Sequence, residues 1–207
     1  MYGDSTQLTA RRMFQESESA RIREFTEIAG DMIPNNLITA LIDRGFFTAP
    51  AGMKHHGNFE GGLYWHSKNV ADLLEDYTRR LDLEWQNGRS PFVIGFLHDV
   101  CKMDYYKKTY TREMTDYSII EGSGTDLKFY NYEWNDEQFI PGHADKSLIF
   151  IGQYMNLTDE EVACIRWHMG AFDDRNNWKY YNEAVSRWPN ILYTHTADMM
   201  AAKVWER

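Results

Sequence analysis

His98 and Asp99 stand side by side in the apolar run Phe96-Leu97-His98-Asp99-Val100. Two titratable groups in so greasy a segment are costly unless something compensates them. A divalent metal ion does so, because neutral imidazole and carboxylate both ligate it well. Further donors recur along the chain, each on its own expected helix. His66 lies one turn after Leu63 and one before Val70, on an apolar face. His143 opens a segment whose inward stripe is Ser147, Leu148, Ile151 and Met155. His168 follows Ile165 by three positions, and Asp198 shares a stripe with Ile191, His195 and Ala202. A buried aspartate on such a stripe needs a cation or strong hydrogen bonds.

The expected ligand set is therefore His66, His98, Asp99, His143, His168 and Asp198. Six nitrogen and oxygen donors exceed what one metal takes from protein when a position stays open for water. They suit two divalent ions with Asp99 as the bridge. Any one of these histidines alone reads better as a hydrogen-bonded core residue. Asp198 alone is equally well explained by a bond to a neighbouring side chain. Taken together, the core reading leaves five of the seven histidines facing an apolar interior without a charged partner. His55 and His56 are expected in a loop near the mouth of the site, and His195 sits one turn from Asp198, behind a ligand. Manganese, iron, magnesium, nickel and zinc all fit these donors.

The elements that must position this set are mostly helical. Periodicity predicts helices over 14–29, 36–47, 63–81, 92–102, 144–156 and 190–205. Ser90-Pro91 reads as an N-cap followed by proline at the first helical position. The helix after it is apolar nearly all round and should be central. Thr158-Asp159-Glu160-Glu161 reads as a capping box opening a helix to Met169, and residues 171–180 read as a polar loop. Glycines at 57, 61 and 62 mark a tight loop before the helix that carries His66. Residues 103–140 break the helical rhythm with seven tyrosines and tryptophans among polar residues, and read as a β-hairpin or lid. The expected fold class is mostly α, a single helical domain with core about 36–205 and this Tyr-rich insertion.

Bulk properties narrow the function. The chain has 207 residues, enough for one domain with a real core. A formal charge of −9 and the absence of a basic stripe argue against nucleic acid as the main partner. No apolar run is long enough to span a bilayer, and residues 1–12 lack the apolar core of a signal peptide. The two cysteines, Cys101 and Cys164, lie far apart inside helical patterns and read as reduced thiols, so a cytoplasmic location is expected.

The order His66, His98-Asp99, His143, His168, Asp198 resembles the HD-domain superfamily of metal-dependent phosphohydrolases. The likeness covers about residues 50–203. It is carried by Glu60-Gly61-Gly62-Leu63-Tyr64-Trp65-His66-Ser67, by Leu97-His98-Asp99-Val100-Cys101-Lys102, by Pro141-Gly142-His143-Ala144-Asp145-Lys146-Ser147 and by Ile165-Arg166-Trp167-His168-Met169-Gly170. These strings are similar to a bacterial or phage branch. Ala144-Asp145 departs from the Gly-Glu usual there, which leaves His143 in place. Lys102 stands where single-metal nucleotidases of the superfamily carry glutamate, and lysine there is usual in two-metal members.

The resemblance implies an HD-domain helical bundle that hydrolyses a phosphate ester or anhydride, with water activated between two divalent ions. Asp99 would bridge the metals, and Lys102 would hold a phosphate oxygen as a point charge. Lys146, three residues from His143, is a second candidate for phosphate, with a solvated helix-start lysine as the competing reading. Arg166 leaves its helix on another face and reads as a surface ion pair. A small phosphorylated substrate of nucleotide type is expected, and the tyrosines of the insertion could stack its base or simply pack on the helices. Two rival readings stand beside this one, the first of which shares the ligand order. One is a di-iron oxygenase acting on a polyol or phosphonate, and the other is a non-catalytic nucleotide-binding sensor.

Overall fold

The computed structural model describes residues 17–53, 57–110, 130–140 and 142–206. The expectations for His55, His56 and the middle of the insertion lie outside the described residues. The rest is mostly α-helical with one small antiparallel sheet, as the sequence pattern implies. The helices are α1 (Glu18–Ala29), α2 (Asn35–Asp43), α3 (Gly62–Leu81), α4 (Ser90–Leu97), α5 (Ala144–Ile151), α6 (Asp159–Trp167), α7 (Trp178–Arg187) and α8 (Asn190–Met200). Strands β1 (Tyr106–Tyr110) and β2 (Tyr130–Trp134) pair antiparallel, with Tyr106 opposite Trp134 and Lys108 opposite Tyr132. No helix among the described residues is long and apolar enough to cross a membrane.

The core forms where apolar stripes meet. Phe25 of α1 is fully buried among Phe46, Phe47, Phe92 and Phe96, with ring centroids 5.1–6.2 Å away. Tilted and edge contacts of this kind add about 0.5–1.5 kcal/mol per pair beyond burial. Helices α3 and α4 pack closely because Gly95 has no side chain. A Cβ there would lie 2.3 Å from the Cα of Ala71. This approach brings His66 of α3 and His98 at the end of α4 to a ring separation of 5.4 Å. Gly61, the N-cap of α3, has φ +82°, and a Cβ there would lie 2.6 Å from the guanidinium carbon of Arg21. Arg21 is itself buried and donates from Nε to the Phe47 carbonyl at 2.8 Å.

The helices expected over 36–47 and 144–156 end sooner, at Asp43 and Ile151, and three further expectations need correction. The helix expected over 92–102 ends at Leu97 and gives way to a 3-10 turn, Val100–Asp104. The cause is His98, whose Nδ1 lies 2.9 Å from the Gly95 carbonyl, the group that would otherwise accept from the Asp99 N–H in a continuing α-helix. Ser90 does not cap α4. It is the first helical residue, and its hydroxyl donates to the buried Glu161 carboxylate of α6 at 3.0 Å. The loop expected over 171–180 is two short 3-10 turns leading into α7. Tyr181, Ala184, Val185 and, just beyond it, Trp188 pack on the core at helical spacing, so a half-buried face drives α7 despite its polar composition. The capping box at Thr158 forms as expected, in both of its hydrogen bonds.

Candidate metal centre

His66 sits early in α3 with its ring wholly buried. His98 and His168 occupy equivalent places, each directly after the last residue of a helix. In both, Nδ1 faces the carbonyl three residues back, at 2.9 Å for Gly95 and 2.7 Å for Ile165. A carbonyl only accepts, so each Nδ1 carries the hydrogen. In the form that would bind a metal, each ring then presents its Nε2 lone pair to the interior. His143 is the N-cap residue of α5, and Asp198 lies on α8.

All six expected ligands converge. Asp99 is at their centre, and its two oxygens face different histidines. Oδ2 is 3.6 Å from His66 Nε2 and 3.4 Å from His98 Nε2. Oδ1 is 3.2 Å from His143 Nε2 and 3.6 Å from His168 Nε2. Asp198 Oδ1 joins the first group at 3.1 Å from His66 Nε2. His143 and His168 bring their Nε2 atoms to within 3.0 Å of each other.

This arrangement fits metal ions. Bonds of about 2.1 Å at tetrahedral to octahedral angles separate donor atoms by roughly 3.0–3.4 Å, which matches these spacings. His98 Nε2 and Asp99 Oδ1 are buried without a hydrogen-bond partner. A buried acceptor facing another acceptor is costly unless a proton or cation lies between them. Three sets of ligand atoms each fall within 4.8 Å: His66, His98 and Asp99; His98, His168 and Asp198; Asp99, His143 and His168. The buried His and Asp groups can therefore hold a metal ion.

The electrostatics agree. Burial alone would push the His66 pKa down, but Glu206 and then Asp198 raise it to about 10. Burial pushes His143 down to about 3, and the nearby Asp99 carboxylate offsets this only in part. Asp99 is held well below the usual carboxylate range despite its burial, first by the Lys102 cation and then by His98 and His143. Asp198 is likewise lowered against burial by His66. Burial opposes the charge on Lys102, yet Asp99 keeps it above the ordinary lysine value. Its Nζ is 2.6 Å from Asp99 Oδ2.

The cluster is not wholly sealed from solvent. His66, His98 and His168 are fully buried, whereas His143, Asp198 and Lys102 keep 28%, 16% and 15% of their side chains exposed. Lys146 is elsewhere. It is buried, its ammonium pairs with Asp104, donates to Gln138 Oε1 at 3.3 Å and lies over the Tyr105 ring. Arg166 makes the ion pairs expected of it, to Asp145 at 2.8 Å and Asp173 at 2.6 Å. His195 donates from Nδ1 to the backbone carbonyl of His168 at 2.7 Å, which places it behind that ligand.

Three contacts were not anticipated from the sequence. Glu206 Oε1 lies 3.0 Å from His66 Nδ1, just past the helical core expected to end at 205. Its spacing was a usable signal, because Asp198, Ala202 and Glu206 follow one another at intervals of four. Cys101 Sγ and the Tyr105 hydroxyl flank His143 Nδ1 at 3.3 and 3.4 Å. Both cysteines are buried and free, and burial, with Asp99 nearby, pushes the Cys101 thiol up to about 12. Comparisons with family models, with curated proteins and with solved structures gave no match for this chain, so the reading of the centre rests on its own geometry.

Proposed function

We propose that this protein is an HD-domain phosphohydrolase that uses a dinuclear metal centre to cleave a phosphate ester or anhydride of a nucleotide-type substrate. One observation carries the reading: the two oxygens of Asp99 each face a different pair of histidines. A carboxylate so placed can be shared by two cations, one held by His66, His98 and Asp198, the other by His143 and His168. When bound, two divalent ions supply a water of lowered pKa and positive charge for a phosphoryl oxygen.

The chain's own groups do the rest. The Nδ1–H bonds of His98 and His168 hold both rings with Nε2 inward. The buried rings shield the centre from bulk water, and the partly exposed His143, Asp198 and Lys102 offer the substrate a way in. Lys102 brings a permanent positive charge there and can hold a phosphoryl oxygen. Lys146 pairs with Asp104 rather than with a candidate ligand. Tyr106 and the half-exposed Trp134 are cross-strand partners on the hairpin face that carries Lys108, which pairs with Glu60 in the loop before α3. That face offers an aromatic surface for a base. Buried, reduced thiols suit a cytoplasmic enzyme.

The test combines metal analysis with turnover. Two divalent ions per chain, and hydrolysis of a nucleotide or of bis(p-nitrophenyl) phosphate in manganese, are expected. Metal binding without hydrolysis of any phosphoester would sink the assignment, and oxygen consumption by the iron form would replace it with the oxygenase reading.

A further inference from the structure

We infer that Glu206 is a positioning residue of the metal centre, which acts by orienting His66. The inference rests on the metal-centre reading above, and it adds a residue from outside the ligand set. Helix α8 ends at Met200, and the chain continues through a wider π-helical turn, Ala201–Trp205. The turn packs against α3. It delivers Glu206 to the rear of His66, on the ring edge opposite the ligand atom. Glu206 is nearly buried, with 5% of its side chain exposed. Its Oε1 is 3.0 Å from His66 Nδ1 and 3.1 Å from Asn69 Nδ2.

A carboxylate can only accept, so His66 keeps a hydrogen on Nδ1, and on metal binding it is Nε2, on the side of Asp99 and Asp198, that gives up its proton and offers a lone pair. Asn69, one turn along α3 from His66, donates to the same oxygen and fixes the carboxylate in turn. The three candidate ligands that end or sit within helices thus share one device, an acceptor on Nδ1. For His98 and His168 the acceptor is a backbone carbonyl, and for His66 it is Glu206. The difference has a chemical consequence. An anionic acceptor raises the electron density of the ring more than a neutral carbonyl does, so His66 becomes the strongest nitrogen donor of its group.

The experiment is manganese titration of metal-free protein by calorimetry, comparing wild type, Glu206→Ala and Glu206→Gln. Glu206→Ala should weaken one of the two ions by about 10–100-fold and leave the other unchanged. Glu206→Gln retains an acceptor for Nδ1–H and should restore most of that affinity. A merely structural anchor would not distinguish the two ions. Should the alanine variant fail to fold, nitrogen-15 spectra of the imidazoles in zinc-loaded wild type give an independent readout. They should show His66 with its hydrogen on Nδ1. Equal manganese affinities in wild type and Glu206→Ala, or a His66 hydrogen on Nε2, would overturn the inference while leaving the hydrolase reading intact. Selective weakening in Glu206→Ala of a protein that hydrolyses no phosphoester would do the reverse. A wild type that binds no divalent ion would overturn both.

Discussion

Replacing Asp99 with asparagine separates a shared carboxylate from an ordinary ligand. The substitution keeps shape and removes one charge from a site where Lys102 Nζ lies 2.6 Å from Oδ2. At an effective dielectric of about 20, the gross attraction of that pair is roughly 6 kcal/mol. Lys102 keeps 15% of its side chain in solvent, so rehydration recovers part of the loss. About 3 kcal/mol of destabilisation remains, the low end for breaking a buried pair. For a chain of this size that corresponds to a fall in Tm of about 6–12 °C. The assay is calorimetry of chelator-stripped protein, followed by metal counting after reconstitution with manganese. Asp99→Asn should bind neither ion tightly, because each Asp99 oxygen belongs to a different group of histidines. His143→Ala should lose one ion and keep the other. An Asp99→Asn protein that retains a tightly held ion would refute the bridging assignment. An unchanged Tm would refute the electrostatic account of Lys102.

Three further outcomes are expected. Lys102→Met should keep both metals and lose about 10²–10³-fold in kcat, read in the same nucleotide assay, because it removes a preorganised charge and no ligand. In metal-free protein, His66 holds its proton up to about pH 10. The raised pKa gives stability that is complete below about pH 6.5 and is lost as pH rises through about 10. The Tm of metal-free wild type, taken relative to His66→Gln, should therefore fall between pH 7 and 10, and a flat difference would contradict the assignment of that proton. Gly95→Ala forces a Cβ to 2.3–2.6 Å of Ala71 and should cost about 1–3 kcal/mol or more in denaturant unfolding, because backbone cannot rotate aside.

The helical class, the capping box at Thr158 and the six residues that converge were legible in the sequence for one physical reason. Polar side chains on apolar stripes conflict with burial, and each conflict marks a place where the fold brings a partner. The features that were not legible depend on tertiary partners. Ser90 carries a strong capping signal, yet its hydroxyl goes to Glu161, more than seventy positions away in the chain. The end of α4 follows from a ring bond to Gly95 that no periodicity encodes. α7 was hidden because only one of its faces is half buried and its residues are otherwise polar. Lys146 had the spacing of a phosphate ligand, and only the position of Asp104 on the 3-10 turn shows what its charge meets.

α4 and α6 both stop at the centre, His98 following the last residue of one and His168 that of the other. Aligned peptide dipoles place about half a negative charge at each such end. Two of them aimed at one spot add roughly one electron's worth of field to that of Asp99 and Asp198. Lys102 and the protonated His66 offset part of that field, and the remainder favours a cation at the centre. If the protein is the phosphohydrolase proposed, loading order follows: metal would enter first, and only then would an anionic ester be drawn in.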